Sequence, residues 1–266
     1  MPWKRATNCA IAPRSSPSNQ RNIARGPRRD KSGPEAYARG MLGAVKHFDE
    51  RAATWDDDPA KLARAQRTAA LLREHLPLNG TEQVLDVGGG TGRLSILLAD
   101  AIADATIADT STGMIEAATQ KIDAAGLSDR FRAVLLDLTV DDLPEERFDG
   151  AWSQLVLHHV RDVDLLLHRV REVLKPGAWF AVVDLDQDAD GAFHAHLREH
   201  HDGHDSHQDE EFLVHDGFDR HSFGERMRAA GFERVTVHDG GVVRKEAGNQ
   251  DRDFPMFLAI GHHSAD

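Results

Sequence analysis

The sequence predicts an α/β protein built on a doubly wound, mostly parallel sheet of seven strands that ends in an antiparallel C-terminal hairpin strand. Two observations support this fold. Short apolar runs alternate with amphipathic stretches from residue 83 onward, and strands separated by helices favour right-handed crossovers and parallel pairing. The last two strand candidates are joined by only a short polar loop, which indicates an antiparallel hairpin.

The element boundaries follow from capping and periodicity. Asp58 precedes Pro59 as a helix cap, and the apolar residues that follow recur at helical spacing, so the sequence predicts a helix over 59–76. The strand candidates are apolar runs at 83–87, 105–109, 131–137, 148–154, 179–186, 233–239 and 255–262. The helical stretches between them cover 92–102, 112–125, 162–174 and 220–230.

The chain divides into a basic N-terminal extension, residues 1–40, and one domain over 41–266. Residues 1–31 carry eight Lys and Arg and one acid without an apolar period, which predicts disorder. Such a segment fits a nucleic-acid or membrane arm, an organellar presequence, or an extension without function. We favour the last of these readings.

The charge and the cysteine content limit the classes of partner and the cellular compartment that we expect. Beyond residue 31 the chain has 24 basic and 43 acidic side chains, a net charge of −19, which argues against nucleic acid as a partner. No stretch approaches the roughly 20 consecutive apolar residues of a membrane span. The single cysteine, Cys9, provides no disulfide framework, which is compatible with a reducing compartment. We therefore expect a cytoplasmic protein.

The stretch VLDVGGGTG at 84–92 places an acid two positions before the first of four glycines, at the end of the first predicted strand. Ligands of open parallel sheets bind at this position. A dinucleotide loop would need a glycine at Arg93, and a phosphate-binding P-loop would need a lysine after its last glycine. Asp86 would oppose a pyrophosphate and suits a ligand with a cationic end.

This stretch resembles the cofactor loop of the class I S-adenosylmethionine-dependent methyltransferases, which have a Rossmann-like sheet. The resemblance covers about residues 41–262 and is to the small-molecule type found in ubiquinone and menaquinone biosynthesis. It implies S-adenosyl-L-methionine as the cofactor, with Asp109 on the ribose, Met114 beside the adenine, and Asp137 with Leu138 at the adenine amino group. The cofactor-binding residues implied in this way are Asp86, Gly88, Gly89, Gly90, Gly92, Asp109, Thr110, Met114, Asp137, Leu138 and Ser153.

The resemblance implies transfer of a methyl group to an oxygen, nitrogen or carbon atom of a small organic metabolite. The acceptor itself is not indicated. His158 and His159, just beyond the fourth strand, are candidates for a general base, and the alternative is that they form a structural turn. Two other functions stay open. One is a regulatory or scaffold protein that binds the cofactor without transfer, and the other is an NAD-dependent oxidoreductase, which Arg93 disfavours.

Two further segments bear on the site. Residues 194–211 contain six of the sixteen histidines, and His196, His200 and His204 stand four residues apart, but Gly203 and the dense charges indicate a solvated loop without a metal. Residues 47–59 precede the sheet and are expected to fold over the cofactor pocket. Phe48 and Trp55 there are either part of a lid or staples that hold the first helix to the sheet.

Overall fold

The computed structural model describes residues 45–188, 192–194, 215–247 and 250–265. Within these ranges one sheet contains every named strand, and its spatial order is β3-β2-β1-β4-β5-β7-β6. The strands are β1 (Gln83–Val87), β2 (Asp104–Asp109), β3 (Phe131–Leu135), β4 (Phe148–Gln154), β5 (Leu174–Leu185), β6 (Phe232–Ala247) and β7 (Gln250–His263).

The pairing directions confirm the predicted fold. Strands β1 to β5 pair in parallel with their neighbours, while β7 runs antiparallel to both β5 and β6. The chain leaves β1 toward β2 on one side and later returns to β4 on the other side of β1. Strand order therefore reverses beside β1, and a crevice opens at the carboxyl ends of these strands.

Five helices cover the two faces of the sheet within the described residues, and a short helical segment at 45–51 precedes them. Asp58 caps the first helix by accepting from the Ala60 N–H at 2.8 Å, and Pro59 occupies its first position as predicted. Ser111, Asp162 and Asp219 cap three of the others in the same manner. The helices are α1 (Pro59–His75), α2 (Arg93–Leu97), α3 (Thr112–Ala124), α4 (Val163–Val173) and α5 (Arg220–Ala229).

The helix predicted over 92–102 is much shorter in the structure, where α2 ends at Leu97. The following residues form turns instead, with the Ala101 N–H donating to the Leu98 carbonyl at 2.8 Å. These turns bring the chain back so that the Ala103 N–H reaches the Glu82 carbonyl at the start of β2. The apolar residues at 98 and 102 are buried, so their helical spacing was a packing pattern rather than a helix.

The last hairpin is longer than predicted. Pairing between β6 and β7 continues past Gly241 to Ala247 opposite Gln250, and an Arg244–Asp253 ion pair spans this part of the hairpin. Polar residues dominate this extension, so it lacks the apolar alternation that marks a strand in a sequence. In contrast, β3 ends at Leu135, two residues before its predicted end, because the chain turns at Asp137, whose carboxylate accepts from the Thr139 N–H.

Apolar side chains pack on both faces of the sheet. One cluster joins β1, β4 and β5 to α4 and α5, with Phe148, Phe180 and Phe223 at its centre. The other joins the opposite face to α1, α2 and α3, and there Trp152 and Trp179 stack with ring centroids 5.9 Å apart. Two-sided burial fixes the strands, and thereby the loops at their carboxyl ends.

Three of the sequence predictions concern regions outside the described residues. These are the disordered extension over 1–40, the start of the domain at 41, and residues 195–211 of the histidine-rich segment. Among the residues that are described, no group of three or more His, Cys, Asp or Glu side chains is placed to hold a metal ion. Within the same ranges, no helix has the length and apolarity needed to cross a membrane.

Candidate active site

The carboxyl ends of β1, β2 and β4 open into a cavity of about 290 Å³. The turns after the strands form its floor. The lead-in segment (residues 45–58) and the first turns of α1 form the opposite wall. Ten of the predicted site residues line the cavity: Asp86, Gly88, Gly89, Gly90, Asp109, Thr110, Met114, Asp137, Leu138 and His159.

The glycine loop is bare because its surroundings leave no room for side chains. A Cβ at Gly89 would lie 2.7 Å from both Asp86 Cγ and Ile107 Cγ2. A Cβ at Gly88, where φ is +66°, would lie 2.5 Å from a methyl carbon of Val156. Side chains of β1, of β2 and of the turn after β4 therefore pack closely against the loop, and its backbone faces the cavity.

Asp86 is a buried carboxylate at the cavity floor, with a relative exposure of 2%. Its Oδ2 accepts from the Ser95 hydroxyl at 2.7 Å, which links β1 to α2. Burial raises the pKa of Asp86 to about 6, and the Ser95 hydrogen bond only partly opposes this shift. The carboxyl group is therefore poised to change charge near neutral pH and favours a cationic neighbour.

Asp109 ends β2 with its carboxylate held by two backbone groups. The Gly90 N–H donates to Oδ2 at 2.8 Å and the Ser111 N–H donates to Oδ1 at 2.9 Å. Burial raises the pKa of Asp109 from its usual value, against these hydrogen bonds. Each carboxylate oxygen keeps further acceptor capacity, so the group can still accept from a ligand.

Three predicted site residues do not line the cavity. Gly92 precedes α2 as its N-cap residue, with φ at +72°. The Ser153 hydroxyl is buried and donates to the Val87 carbonyl at 2.9 Å, which fixes β4 against β1. His158 is buried next to His159 and does not line the cavity. Direct ligand contact by these three residues stays a prediction, and the structure gives each of them a supporting position.

The histidine pair is split between core and cavity. The His158 ring is buried, and its Nδ1 atom lies 2.7 Å from Oδ1 of Asp184. Asp184 is also fully buried. The His159 ring lines the cavity, with its centroid 4.0 Å from that of His158 and 5.7 Å from that of Phe48. Of the two candidate bases, only His159 can reach a ligand in this cavity.

The lead-in segment lies over the cavity, as the sequence predicted, and two aspartates fasten it there. Asp49 Oδ1 accepts from the Ser111 hydroxyl at 2.6 Å and from the Gly113 N–H at 2.9 Å, both at the start of α3. Asp56 forms ion pairs with Arg93 and Lys121. Phe48 and Trp55, whose ring centroids are 5.6 Å apart, line the cavity on the side that this segment covers.

Sequence reasoning missed two cationic side chains on α1 that line the cavity, Lys61 and Arg64. Lys61 Nζ donates to the Trp55 carbonyl at 3.2 Å and lies 3.3 Å from the centroid of the Trp55 ring. Burial lowers the pKa of Lys61 to about 8 and also lowers that of Arg64. The available signal was their spacing of three residues, which puts them on one face of the helix that follows Trp55.

Leu155 also lines the cavity, directly after β4, with the unusual backbone φ of +56° for a residue with a branched side chain. Its N–H donates to the Val183 carbonyl at 2.8 Å, which holds this conformation. Strained backbone of this kind often accompanies ligand sites. No local sequence signal marks a leucine for this conformation, so the position was not predicted.

Residues 85–182 match the family model described as a methyltransferase domain. Methyltransferase GfsG of Streptomyces halstedii is 32% identical over 138 residues, which is 49% of each chain. The ubiquinone biosynthesis O-methyltransferase of Azorhizobium caulinodans is 32% identical over 161 residues, or 54% of this chain and 62% of that protein. The chain spans about half the length of the curated relatives it matches.

The fold has solved counterparts. Phosphoethanolamine N-methyltransferase 2 of Haemonchus contortus, solved in complex with S-adenosyl-L-methionine, superimposes with a TM-score of 0.57 at 15% identity, covering 74% of this chain and 52% of that one. The matched residues 85–182 contain the glycine loop, Asp109, Asp137 and the histidine pair. The resemblance seen in the sequence is thus confirmed at two levels: residues 85–182 match a methyltransferase domain, and the sheet has the fold of a solved methyltransferase.

Proposed function

We propose that this protein transfers the methyl group of S-adenosyl-L-methionine to an oxygen, nitrogen or carbon atom of a small organic metabolite. The observation that carries the proposal is the row of carboxylates on the cavity floor. Asp86, Asp109 and Asp137 stand at the carboxyl ends of β1, β2 and β3, and all three line the cavity around the bare glycine loop. A ligand with cationic groups, hydroxyls and an amino group matches such a floor.

The residues present fit this cofactor. Gly88, Gly89 and Gly90 leave backbone within reach of a ligand, and Asp109 has acceptor capacity for ribose hydroxyls beyond its two backbone donors. Met114 and Leu138 offer apolar contacts for an adenine ring. Arg64, on the opposite wall, is the side chain that we assign to the carboxylate of the cofactor, because a guanidinium matches a carboxylate in a bidentate manner.

When bound, the cofactor supplies a methyl carbon on a sulfonium, which is already an activated leaving group. The residues of the chain then have three tasks: to orient the acceptor, to exclude water, and to accept a proton where the acceptor is a hydroxyl or an amine. Phe48 and Trp55 supply the apolar cover. His159 lines the cavity and is the side chain that we assign as the proton acceptor.

Substitution of Asp109 by alanine should weaken the affinity for S-adenosyl-L-methionine by about 10- to 100-fold. The substitution removes an acceptor for the ribose and leaves the Gly90 and Ser111 N–H groups without their carboxylate, and hydrogen bonds to charged groups contribute about 1.5–3 kcal/mol. Isothermal titration calorimetry measures the change. Asp104→Ala, at the opposite end of β2, is the matched control and should bind normally. Equal binding by Asp109→Ala and wild type would refute the cofactor site.

Cofactor affinity should rise as the pH rises from 5 to 7. The pKa of Asp86 is about 6, so over this range the carboxyl group passes from mostly neutral to mostly ionised, and the ionised form favours a cationic ligand. The gain should be at most about tenfold, the change in the ionised fraction. Calorimetry at several pH values measures it, and Asp86→Asn should flatten the profile. An Asp86→Asn profile that keeps the full rise would assign the effect to another group.

An assay on the purified wild-type protein distinguishes methyl transfer from a regulatory or scaffold role. Transfer predicts that labelled methyl groups appear in product when the protein is offered phenols, quinones and small amines. Binding of the cofactor without turnover across such a panel would favour the regulatory alternative. The single cysteine and the acidic body support a place in the cytoplasm as part of the same proposal.

A further inference from the structure

The wall of the cavity that faces the carboxylate floor is cationic, although the chain as a whole carries a net charge of −12. Lys61 and Arg64 both line the cavity from the first turns of α1. Neither forms an ion pair within the described ranges, and the nearby Asp58 carboxylate caps α1 instead. Two basic side chains thus face the ligand space without an ion-pair partner in the described ranges, although the charge of Asp58 acts on both.

Further basic groups lie close to this wall. The positive charges of Arg51 and Arg64 each lower the pKa of Lys61 and the pKa of Lys245. Lys245, on the long β6–β7 hairpin, donates to the Phe193 carbonyl at 2.8 Å and lies over the Phe193 ring at 4.7 Å. Mutual repulsion of partly buried cations is unfavourable, and a bound anion relieves it.

The carboxylate of the proposed cofactor would neutralise only part of this positive charge. S-adenosyl-L-methionine has one carboxylate, and Arg64 is sufficient to pair with it. Lys61 is left over, its ammonium lies against the Trp55 ring, and the apolar side chains of Phe48 and Val160 line the same cavity. The five carboxylates that line the cavity would repel a dianion, so the surplus charge suits a monoanion.

We propose that the methyl acceptor carries a carboxylate on an apolar or aromatic frame and that Lys61 binds this carboxylate. The inference rests on the proposed function and names the substrate class of the same cavity. Lys61 acts by binding the acceptor and takes no part in the transfer itself. An anchored carboxylate at the α1 wall fixes the acceptor, while the opposite end of the frame reaches toward the cofactor.

The test compares acids with their amides, which have the same shape without the charge. The probes are 3,4-dihydroxybenzoate, 4-hydroxyphenylacetate and anthranilate with their three amides, added to protein saturated with S-adenosylhomocysteine. The shift in melting temperature and the transfer of labelled methyl groups in the presence of S-adenosyl-L-methionine are measured. At least one acid should stabilise the protein or be methylated with a preference of about tenfold or more over its amide. Acids that do no better than their amides would overturn the inference.

Variants assign the effect to Lys61. Lys61→Met should remove the preference for the acid, whereas Lys46→Met, which replaces an exposed lysine paired with Glu50, should keep it. Calorimetry on Lys61→Met separates the acceptor from the cofactor. A loss of S-adenosyl-L-methionine affinity as large as the loss of acid preference would place Lys61 at the cofactor carboxylate and refute the proposal. Failure of the wild type to bind S-adenosyl-L-methionine would instead refute the proposed function.

Discussion

Alanine at Gly89 should reduce S-adenosyl-L-methionine affinity by at least about 100-fold, because a Cβ there would lie 2.7 Å from both Asp86 Cγ and Ile107 Cγ2. Asp86 is buried and tied to Ser95, and Ile107 belongs to the core, so neither can move away without disturbing β1 or β2. The loop must therefore rise into the cavity, where the ligand would lie. Calorimetry measures the affinity.

The effect on folding should be smaller than the effect on binding. Overpacking of this kind costs about 1–3 kcal/mol of unfolding free energy, which urea denaturation measures. Gly224→Ala is the matched control: its added Cβ would meet its nearest neighbour at 3.4 Å within α5, far from the loop, and both affinity and stability should remain near wild type. If Gly89→Ala binds within threefold of wild type, the loop does not approach the ligand.

The side chains around the glycine loop, where we propose that the cofactor binds, could be placed together from the sequence because their signals are local. Glycines directly after an apolar strand, with an acid before them, mark a loop that must be bare, and Asp109 and Asp137 follow the next two strands in the order of the sheet. Parallel strands bring their carboxyl ends to one edge, so topology alone places these acids together. The structure adds the reason for the bare loop, which is the close packing of Val156 and Ile107 against its backbone.

The basic wall, where we propose that the acceptor binds, could not be predicted to the same extent because its residues come from distant segments. Lys61 and Lys245 lie 184 positions apart in the chain, and only the folded hairpin brings the second toward α1. The hairpin extension is polar and has no strand period, so its length was underestimated. The different positions of His158 and His159 likewise depend on Asp184, which follows 26 residues after the pair begins.

Asp184 holds three donors from within the core. The Leu157 N–H donates to Oδ2 at 2.9 Å, the Leu185 N–H donates to Oδ1 at 2.7 Å, and His158 Nδ1 lies 2.7 Å from Oδ1. The carboxylate is 0% exposed, and it fixes the turn between β4 and α4 that presents His159 to the cavity. Removing a buried acceptor of this kind lowers stability mainly because its hydrogen-bond donors are left buried without a partner.

Asp184→Ala should therefore lower the free energy of unfolding by about 3–5 kcal/mol, the usual cost of removing one partner of a buried pair. Urea denaturation measures it, with Asp164→Ala as the control. Asp164 pairs with Arg226 at the surface, where such ion pairs contribute at most about 1 kcal/mol. His158→Ala should share much of the loss, whereas His159→Ala should unfold near wild type and lose turnover. A His158→Ala variant that is inactive but as stable as wild type would contradict this assignment. It would make His158 rather than His159 the base, and the turn that buries His158 would have to open during the reaction.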